Sequence, residues 1–227
     1  MLQQTQVSRV LEKYKQFLKA FPTAKRLAQA PQAEVLILWS GLGYNRRARF
    51  LHQCATELLS YKTFPTEVPV LEKLPGIGHY TARAVATFAF NQPHVFIETN
   101  IRTVFVHHFF PKRKVVSDAD ILKLVERTLD TKNPRHWYSA LMDYGSYLKS
   151  QGIKVHRQST LYTKQSTFMG SNRRVRGLIV KALIDSRQSL SSLVLITGCT
   201  EKELVPALLG LQKEALIIKQ RSLYRLA

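Results

Sequence analysis

The amino-acid sequence predicts an all-α protein that ends in a small winged-helix-like unit. Through most of the chain, apolar residues recur at three- and four-residue spacing, which is the pattern of amphipathic helices. The final stretch, "LIIKQRSLYRLA", instead indicates two short strands on either side of "QRS". Helices followed by such a β-ribbon are typical of a winged helix, although an ordinary helical extension would fit the same pattern.

The first half of the chain contains several predicted helices. The segment "AEVLILWSGLGY" predicts one that ends at Gly41 and Gly43, "RRARFLHQCATELLSY" predicts the next, and "FPTEVPVLEKL" predicts a short one. Before them, "VSRVLEKYKQFLKAF" predicts a helix that stops at Pro22. Its apolar residues form one face: Val7, Val10, Leu11, Tyr14, Leu18 and Phe21.

Capping signals mark the helices of the second half. A helix runs through "TARAVATFAF", another begins at "SDADILKLVERTLD" with Ser117 as N-cap, and a third follows Pro134. Residues 151–172 are polar and predict a linker or a wrapping segment. Near the C-terminal end, Thr200 and Glu203 form a capping box ahead of an apolar run.

The net charge is the strongest bulk property of the chain. Lysine and arginine total 34 against 15 acidic residues, which gives a formal charge of +19 and a pI near 10.2. The basic residues cluster in "RRARF", "PKRKVV" and "SNRRVRG", as expected when a polyanionic partner extends across the surface. We therefore expect a nucleic-acid partner, with general solubility as the alternative explanation.

The composition also excludes several classes of protein. Cys54 and Cys199 are too few for a disulfide framework, a four-thiolate zinc site or an iron–sulfur cluster. No apolar run reaches the roughly 18 residues that a membrane-spanning helix needs. The segment "MLQQTQVSRV" lacks the apolar region of a signal peptide. We expect a soluble, cytoplasmic protein with no bound metal.

The segment "LPGIGHYTARAV" is the clearest local motif. Pro75 fixes one φ angle, Gly76 and Gly78 permit positive φ, and Ile77 between them can anchor the turn in the core. The glycine amides and the first N–H groups of the next helix can bind a phosphate through the backbone alone. Such a turn would hold a DNA strand in register. A glycine-rich helical hairpin without a ligand is the alternative.

The longer segment "LPGIGHYTARAVATFAF" resembles the helix–hairpin–helix of the DNA glycosylase superfamily that includes endonuclease III and the A/G-mismatch adenine glycosylases. Four further segments are similar to that family, in the same order: "MLQQTQVSRV", "FPTAKRLAQAPQAEVLILWSGLGYNRRARFLHQCA", "FIETNIRTV" and "ALMDYGS". The resemblance implies a helix–hairpin–helix DNA glycosylase fold over residues 1–168, N-terminally incomplete. It leaves a winged-helix-like domain over residues 169–227.

The resemblance also implies how DNA is held. Enzymes of this kind extrude the target nucleotide, so they need a filler for the vacated stack, a basic clamp and a base pocket. In that scheme Gln3 and Gln4 read bases and Tyr44 is the aromatic wedge; solvated glutamines and a packing tyrosine are the alternatives. The remaining implied DNA-binding residues are Arg46, Arg47, Arg49, Gly76, Gly78, His79, Thr81 and Asn100.

Tyr80 stands where relatives that also cut the DNA strand carry a lysine. A lysine amine can attack the sugar and form a Schiff base, which permits β-elimination, whereas a tyrosine cannot form that imine. The resemblance therefore implies hydrolysis of the N-glycosidic bond by water without a lyase step. It places Tyr80 at the mouth of the base pocket.

Glu98 of "FIETNIRTV" matches the position of the family's catalytic aspartate. Breaking a glycosidic bond builds positive charge on the sugar, which a nearby carboxylate stabilises or attacks. Glutamate keeps the charge but moves the carboxylate by about 1 Å, a displacement that can cost about 10²-fold in rate. A capping or surface glutamate is the alternative, with Asp143 as the catalytic carboxylate, and Asn100 is expected to brace this turn.

Three further features depart from the family pattern. The glutamate that protonates adenine in relatives lies just upstream of "MLQQTQ", so we expect the chain to start late; an enzyme that does without this acid is the alternative. The cysteines of the relatives' [4Fe–4S] cluster have no counterpart after "MDYGS", so we expect no cofactor and leave open a monovalent cation at the hairpin. The winged-helix-like unit replaces the relatives' large C-terminal domain, which reads 8-oxoguanine.

Together these features predict a monofunctional DNA glycosylase that removes adenine opposite 8-oxoguanine or guanine in base excision repair. A thymine or uracil glycosylase acting opposite guanine is one alternative, and a non-catalytic DNA-binding relative is another. The expected partner is double-stranded DNA with a mismatched or damaged base pair. We expect a nucleoid-associated monomer with no membrane partner.

Overall fold

A computed structural model describes residues 1–3, 5–153, 155–158 and 168–227, apart from the side chains of residues 156 and 157. The described part is mostly helical, as predicted. Its helices are α1 (Val7–Ala20), α2 (Ala24–Gln29), α3 (Gln32–Trp39), α4 (Arg46–Leu58), α5 (Val68–Leu71), α6 (His79–Phe90), α7 (Thr99–Phe109), α8 (Asp118–Thr128), α9 (Pro134–Ser150), α10 (Asn172–Ala182), α11 (Leu190–Thr197) and α12 (Glu201–Lys213). Three short strands accompany the last helices: β1 (Gln188–Ser189), β2 (Ile217–Gln220) and β3 (Leu223–Leu226). Among the described helices, none has the length and apolar character to cross a membrane.

The chain packs into two compact units, Met1–Phe64 with Ser166–Ala227 and Pro65–Gln165. In the first unit, helices α1, α3 and α4 share one hydrophobic core with α10, α12 and β3. Gln32 Nε2 also donates to the carbonyl of Ala215 at 2.6 Å. The predicted domain boundary between residues 168 and 169 stays a prediction, because a shared core does not mark where either part ends.

Helix α1 forms where predicted, but most of its apolar face is not buried. Phe17 is buried and packs edge-on against Phe21 and Trp39, with 5.0 and 6.2 Å between ring centroids. This packing turns the helix so that the large ring of Phe17, which the predicted face omits, reaches the core. Four residues of the predicted face are 44–61% exposed: Val7, Leu11, Tyr14 and Leu18.

The C-terminal residues form a small sheet that contains the two predicted strands on either side of "QRS". Strand β3 pairs antiparallel with both β1 and β2, so that Tyr224 faces Gln188 on one side and Lys219 on the other. Strand β1 was not predicted, because its two residues are too few to show an alternating pattern. The capping box of α12 is confirmed, since the backbone N–H of Thr200 donates to Glu203 Oε2 at 2.8 Å.

An aromatic cluster fixes the segment that leads into α7 in the second unit. The ring of Tyr138 is fully buried and stacks on Phe96 with 4.0 Å between centroids. Its hydroxyl accepts a hydrogen bond from the backbone N–H of Phe96 at 3.1 Å and donates to the carbonyl of His94 at 2.9 Å. The predicted N-cap of α8 is confirmed, because Ser117 Oγ accepts from the backbone N–H of Asp120.

Replacing Tyr138 with phenylalanine is expected to lower the free energy of unfolding by about 1–3 kcal/mol, because the buried N–H of Phe96 and the partly buried carbonyl of His94 lose their partner. Urea denaturation followed by circular dichroism measures the change. The exposed Tyr147 on the same helix provides the control, since Tyr147→Phe should change stability by less than about 0.5 kcal/mol. Equal midpoints for both variants would show that the buried hydroxyl adds no net stability.

Candidate active site and nucleic-acid interface

The "LPGIG" turn connects α5 to α6. Gly76 has φ of +75°, the conformation predicted for this turn. Gly78 is the N-cap of α6 with φ of −93°, so it does not use the positive φ that a glycine permits. A Cβ added to Gly78 would meet no described atom within 4 Å. Neither the backbone angle nor the described packing requires glycine at this position, and the space before the first N–H groups of α6 is open to a ligand.

His79 and Thr81 lie in the first turn of α6. The exposed imidazole of His79 approaches Glu72, with 2.9 Å between Nδ1 and Oε1. Arg83 Nη1 donates to the same carboxylate oxygen at 2.7 Å, and this hydrogen bond is the main cause that lowers the pKa of Glu72. These side chains link the end of α5 to α6 and thereby brace the hairpin.

Tyr80 lies between His79 and Thr81 in the first turn of α6. Its ring packs edge-on against Phe96 with 5.7 Å between centroids and lines an open pocket of about 490 Å³. The other walls of this pocket come from α6, α8 and the segment before α7. Burial, and secondarily the charge of Glu98, raise the pKa of Tyr80 to about 12. The phenol is therefore neutral over the usual assay range.

Glu98 is the N-cap of α7. Its Oε1 accepts hydrogen bonds from the backbone N–H groups of Asn100 at 2.5 Å and Ile101 at 2.9 Å. The capping role raised as an alternative is therefore present, and it is compatible with a catalytic role because both bonds use the same carboxylate oxygen. Asp143, the other candidate carboxylate, is exposed on α9.

Helix α9 braces Asn100. Lys149 Nζ donates to Asn100 Oδ1 at 2.6 Å. Burial lowers the pKa of Lys149, and the charge of Glu98 opposes that shift. One turn earlier, a Cβ on Gly145 would lie 2.3 Å from the carbonyl oxygen of Asn100. Because Gly145 has no side chain, α7 can approach α9 closely. Sequence reasoning missed Lys149, although its four-residue spacing from a helical glycine was visible.

Tyr44 lies in the loop between α3 and α4. This loop has positive φ at Gly41 (+91°), at Gly43 (+72°) and at Tyr44 itself (+49°). A residue with a Cβ rarely adopts that conformation, and the strain costs roughly 1–3 kcal/mol. The tyrosine side chain is 37% exposed. The fold thus holds an aromatic ring at the surface on a strained backbone.

Arg47 connects that loop to the N-terminal segment by hydrogen bonds. Its terminal nitrogens donate to five acceptors at 2.6–3.3 Å, namely Met1 O, Gln3 O, Thr5 Oγ1, Leu42 O and Gly43 O. Arg49 Nη1 likewise donates to the carbonyl of Glu214 at 2.5 Å. Arg46 is exposed and lies 5.5 Å from the centroid of the Phe50 ring. Two of the three predicted clamp arginines therefore hold the protein's own backbone.

The predicted base-reading segment precedes α1. Gln3 is exposed, and its carbonyl is one of the acceptors of Arg47. Gln4 lies outside the described residues. The hydroxyl of Thr5 donates to the carbonyl of Leu42 at 3.2 Å, which links this segment to the loop of Tyr44 a second time. Gln3 and Tyr44 are thus positioned by one hydrogen-bond network.

Replacing Arg47 with lysine is expected to lower the free energy of unfolding by roughly 2 kcal/mol, because one ammonium group cannot reach the acceptors of both segments. Urea denaturation measures the loss. The neighbouring Arg46→Lys variant, altered at an exposed side chain, should stay within about 0.5 kcal/mol of wild type. If the two variants were equally stable, the network around Arg47 would contribute little to folding.

Within the residues that the structure describes, no group of three or more histidine, cysteine, aspartate or glutamate side chains is placed to hold a metal ion. Cys54 and Cys199 are both buried. Two thiolates do not fit a [4Fe–4S] cluster, which takes four. The expected lack of a cofactor and the monovalent cation at the hairpin both stay predictions.

Comparison with known proteins identifies the family. The model of the "HhH-GPD superfamily base excision DNA repair protein" family matches residues 1–129. The chain belongs to the HhH-GPD superfamily. The match includes the hairpin, the loop of Tyr44 and the turn of Glu98, which are among the segments that carry the resemblance described above.

Several curated relatives of this HhH-GPD chain are adenine DNA glycosylases. The Mycolicibacterium smegmatis protein is 35% identical over 208 residues, covering 82% of this chain and 70% of that protein. The Mycobacterium tuberculosis H37Rv protein is 44% identical over 106 residues, covering 46% of this chain and 35% of that protein. The Buchnera aphidicola protein is 36% identical over 155 residues, which cover 65% of this chain and 43% of that protein. The chain thus spans less than half of the last two relatives, and its predicted resemblance to the adenine glycosylases is confirmed.

Solved structures share the HhH-GPD fold. A thermostable thymine-DNA glycosylase gives a TM-score of 0.56 at 19% identity, covering 71% of this chain and 79% of that one. A trapped endonuclease III–DNA covalent intermediate gives a TM-score of 0.54 at 21% identity, covering 63% of this chain and 68% of that one. At these identities the likeness establishes the fold alone, and it confirms the fold class predicted from the sequence.

Proposed function

We propose that this chain is a monofunctional DNA glycosylase that removes adenine from a mismatch with 8-oxoguanine or guanine. The observation that carries the proposal is the carboxylate of Glu98, which two backbone N–H groups hold at the start of α7. The neutral phenol of Tyr80 stands at the start of the hairpin's second helix. The choice of base is supported by an adenine DNA glycosylase that is 35% identical across 82% of this chain.

Glu98 would stabilise the positive charge that develops on the deoxyribose as the bond between C1′ and the base breaks. The backbone N–H groups of Asn100 and Ile101 restrict the carboxylate to one orientation. A charge that is already oriented stabilises the transition state without a cost of reorganisation. Lys149 contributes indirectly, because it holds the side chain of Asn100, whose N–H is one of the two donors.

Tyr80 decides which nucleophile completes the reaction. A protonated phenol offers no amine for imine formation, so no β-elimination follows. A water molecule attacks C1′ instead, its oxygen forms the new bond, and one of its protons is released while the departing base takes up a proton. The products are a free base and an unbroken strand that carries an abasic site.

Duplex DNA is the partner that the charge of +19 favours. The open space at Gly78, beside His79 and Thr81, suits a backbone phosphate at the start of α6. The ring of Tyr44 suits a wedge that fills the stack after the nucleotide leaves. We propose that the protein works as a nucleoid-associated monomer and without an iron–sulfur cluster, because its two cysteines cannot ligate one.

Incubation with a panel of duplexes tests the proposal. The duplexes carry adenine opposite 8-oxoguanine, adenine opposite guanine, thymine opposite guanine, or uracil opposite guanine. Hot alkali then cleaves abasic sites, and product is expected from the adenine duplexes alone. Product from the thymine or uracil duplexes alone would replace adenine by a pyrimidine substrate. Binding without any product would identify a non-catalytic DNA-binding protein.

A second measurement on the same duplexes isolates the role of Tyr80. Before alkali is added, the strand should remain whole, and borohydride should trap no covalent complex between protein and DNA. Strand breakage at this stage, or a trapped complex, would contradict hydrolysis by water whatever the identity of the base.

A further inference from the structure

Helix α10 of the C-terminal region reaches the loop that carries Tyr44. Arg173 Nη1 donates a hydrogen bond to the Tyr44 hydroxyl at 2.8 Å. The same guanidinium lies 5.6 Å from the centroid of the Tyr44 ring and 5.6 Å from that of Phe168. The guanidinium of Arg47 lies 5.5 Å from the Tyr44 ring centroid. Arginines from two distant parts of the sequence are thus within cation–π distance of one exposed tyrosine.

Arg173 projects from a well-anchored helix. Val175 and Ile179 of α10 are buried in the core that the C-terminal region shares with α1, α3 and α4. Arg176 Nη2 forms an ion pair with Glu214 at 2.5 Å. All these residues belong to the same compact unit as Tyr44. The contact between Arg173 and Tyr44 therefore joins two elements of fixed relative position.

Arg173 donates to a side-chain hydroxyl, whereas two of the predicted clamp arginines donate to backbone carbonyls. Arg47 and Arg49 donate to backbone carbonyls, and a phosphate could recruit them only by breaking bonds that hold the fold. Arg173 Nη1 instead donates to the hydroxyl of the Tyr44 side chain, which can rearrange while the backbone stays in place. A guanidinium that stacks on an aromatic ring retains the planar fork that binds phosphate bidentately.

We propose that α10 is part of the DNA-binding surface, with Arg173 contacting a backbone phosphate beside the base step that Tyr44 enters. The partner is duplex DNA, so the inference rests on the proposed function and gives the winged-helix-like region a part in it. Before DNA arrives, the bond to the Tyr44 hydroxyl holds the ring in position. A phosphate, as a charged acceptor, then replaces the neutral hydroxyl as the stronger partner of Arg173.

The salt dependence of duplex binding tests this proposal. For a duplex with adenine opposite guanine, Arg173→Ala should reduce the slope of log K against log salt by about 0.9, and the affinity near 0.1 M salt by about tenfold. The matched control is Arg187→Ala, which removes another exposed arginine of the same C-terminal region. The control should leave both the slope and the affinity at the wild-type values.

Arg173→Lys separates the charge from the shape of the contact. Lysine keeps the charge, so the slope should stay near that of wild type, but part of the affinity should be lost because an ammonium cannot bind phosphate bidentately. Thermal unfolding of all three variants checks that the fold is retained.

An Arg173→Ala slope equal to that of wild type would overturn the inference, and so would an equal change in Arg187→Ala. The two proposals fail separately. Wild-type binding without excision would contradict the proposed function and leave this inference standing, because the measurement here is of binding. Excision by wild type together with an unchanged Arg173→Ala slope would support the proposed function and contradict this inference.

Discussion

Replacing Glu98 with glutamine is expected to lower the single-turnover rate of adenine release by about 10³-fold, because the sugar cation loses the charge that stabilises it. The glutamine oxygen can still accept hydrogen bonds from the backbone N–H groups of Asn100 and Ile101, so the cap of α7 is kept. The variant should therefore unfold at the wild-type temperature and bind the mismatched duplex with wild-type affinity. Quantifying alkali-labile product over time measures the rate.

Two further substitutions at Glu98 separate the cap from the charge. Glu98→Ala removes both and should cost about 1 kcal/mol of stability in addition to activity. Glu98→Asp restores the residue that the resemblance assigns to relatives but withdraws the carboxylate by about 1 Å, so its rate should fall by up to about 10²-fold. Wild-type activity in Glu98→Gln would show that this carboxylate is not the catalytic one, and Asp143 would be the next residue to replace.

Replacing Gly145 with alanine is expected to lower the free energy of unfolding by about 1–3 kcal/mol and to reduce the excision rate by about 10²-fold through a displaced site. The added Cβ would lie 2.3 Å from the carbonyl oxygen of Asn100 and 2.8 Å from its Cα, and backbone atoms cannot rotate out of the way. Helices α7 and α9 would have to separate. That movement would draw Asn100 away from Lys149 and shift the two N–H groups that orient Glu98.

Gly177 provides the matched control for this substitution. It also lies within a helix, but a Cβ there would meet no described atom within 4 Å. Gly177→Ala should therefore be neutral or stabilising by up to about 1 kcal/mol, because alanine favours the helix. Urea denaturation and single-turnover excision are measured for both variants. If Gly145→Ala kept wild-type activity, the close approach of α7 to α9 would not be what positions the site.

Local signals in the sequence were sufficient for much of the fold. The helix starts at Ser117 and at Thr200 with Glu203 were predicted correctly because a cap involves residues three positions apart. The turn at Gly76 was predictable for the same reason, since its conformation depends on the residue itself and its neighbours. The family was visible because several such segments occur in a conserved order along the chain.

Long-range packing decided the rest. The sequence shows that Arg47 and Arg49 are cations but not whether their donors meet a phosphate or a distant carbonyl, because a guanidinium can donate to either acceptor. Periodicity likewise located α1 without showing that Phe17 would set its orientation against Trp39. The bond between Lys149 and Asn100 depends on how closely two helices approach. Sequence alone determined most of the helices and the starts of α8 and α12, but it did not show α2 or α7. The tertiary structure determined which side chains meet, since those contacts join residues far apart in the chain.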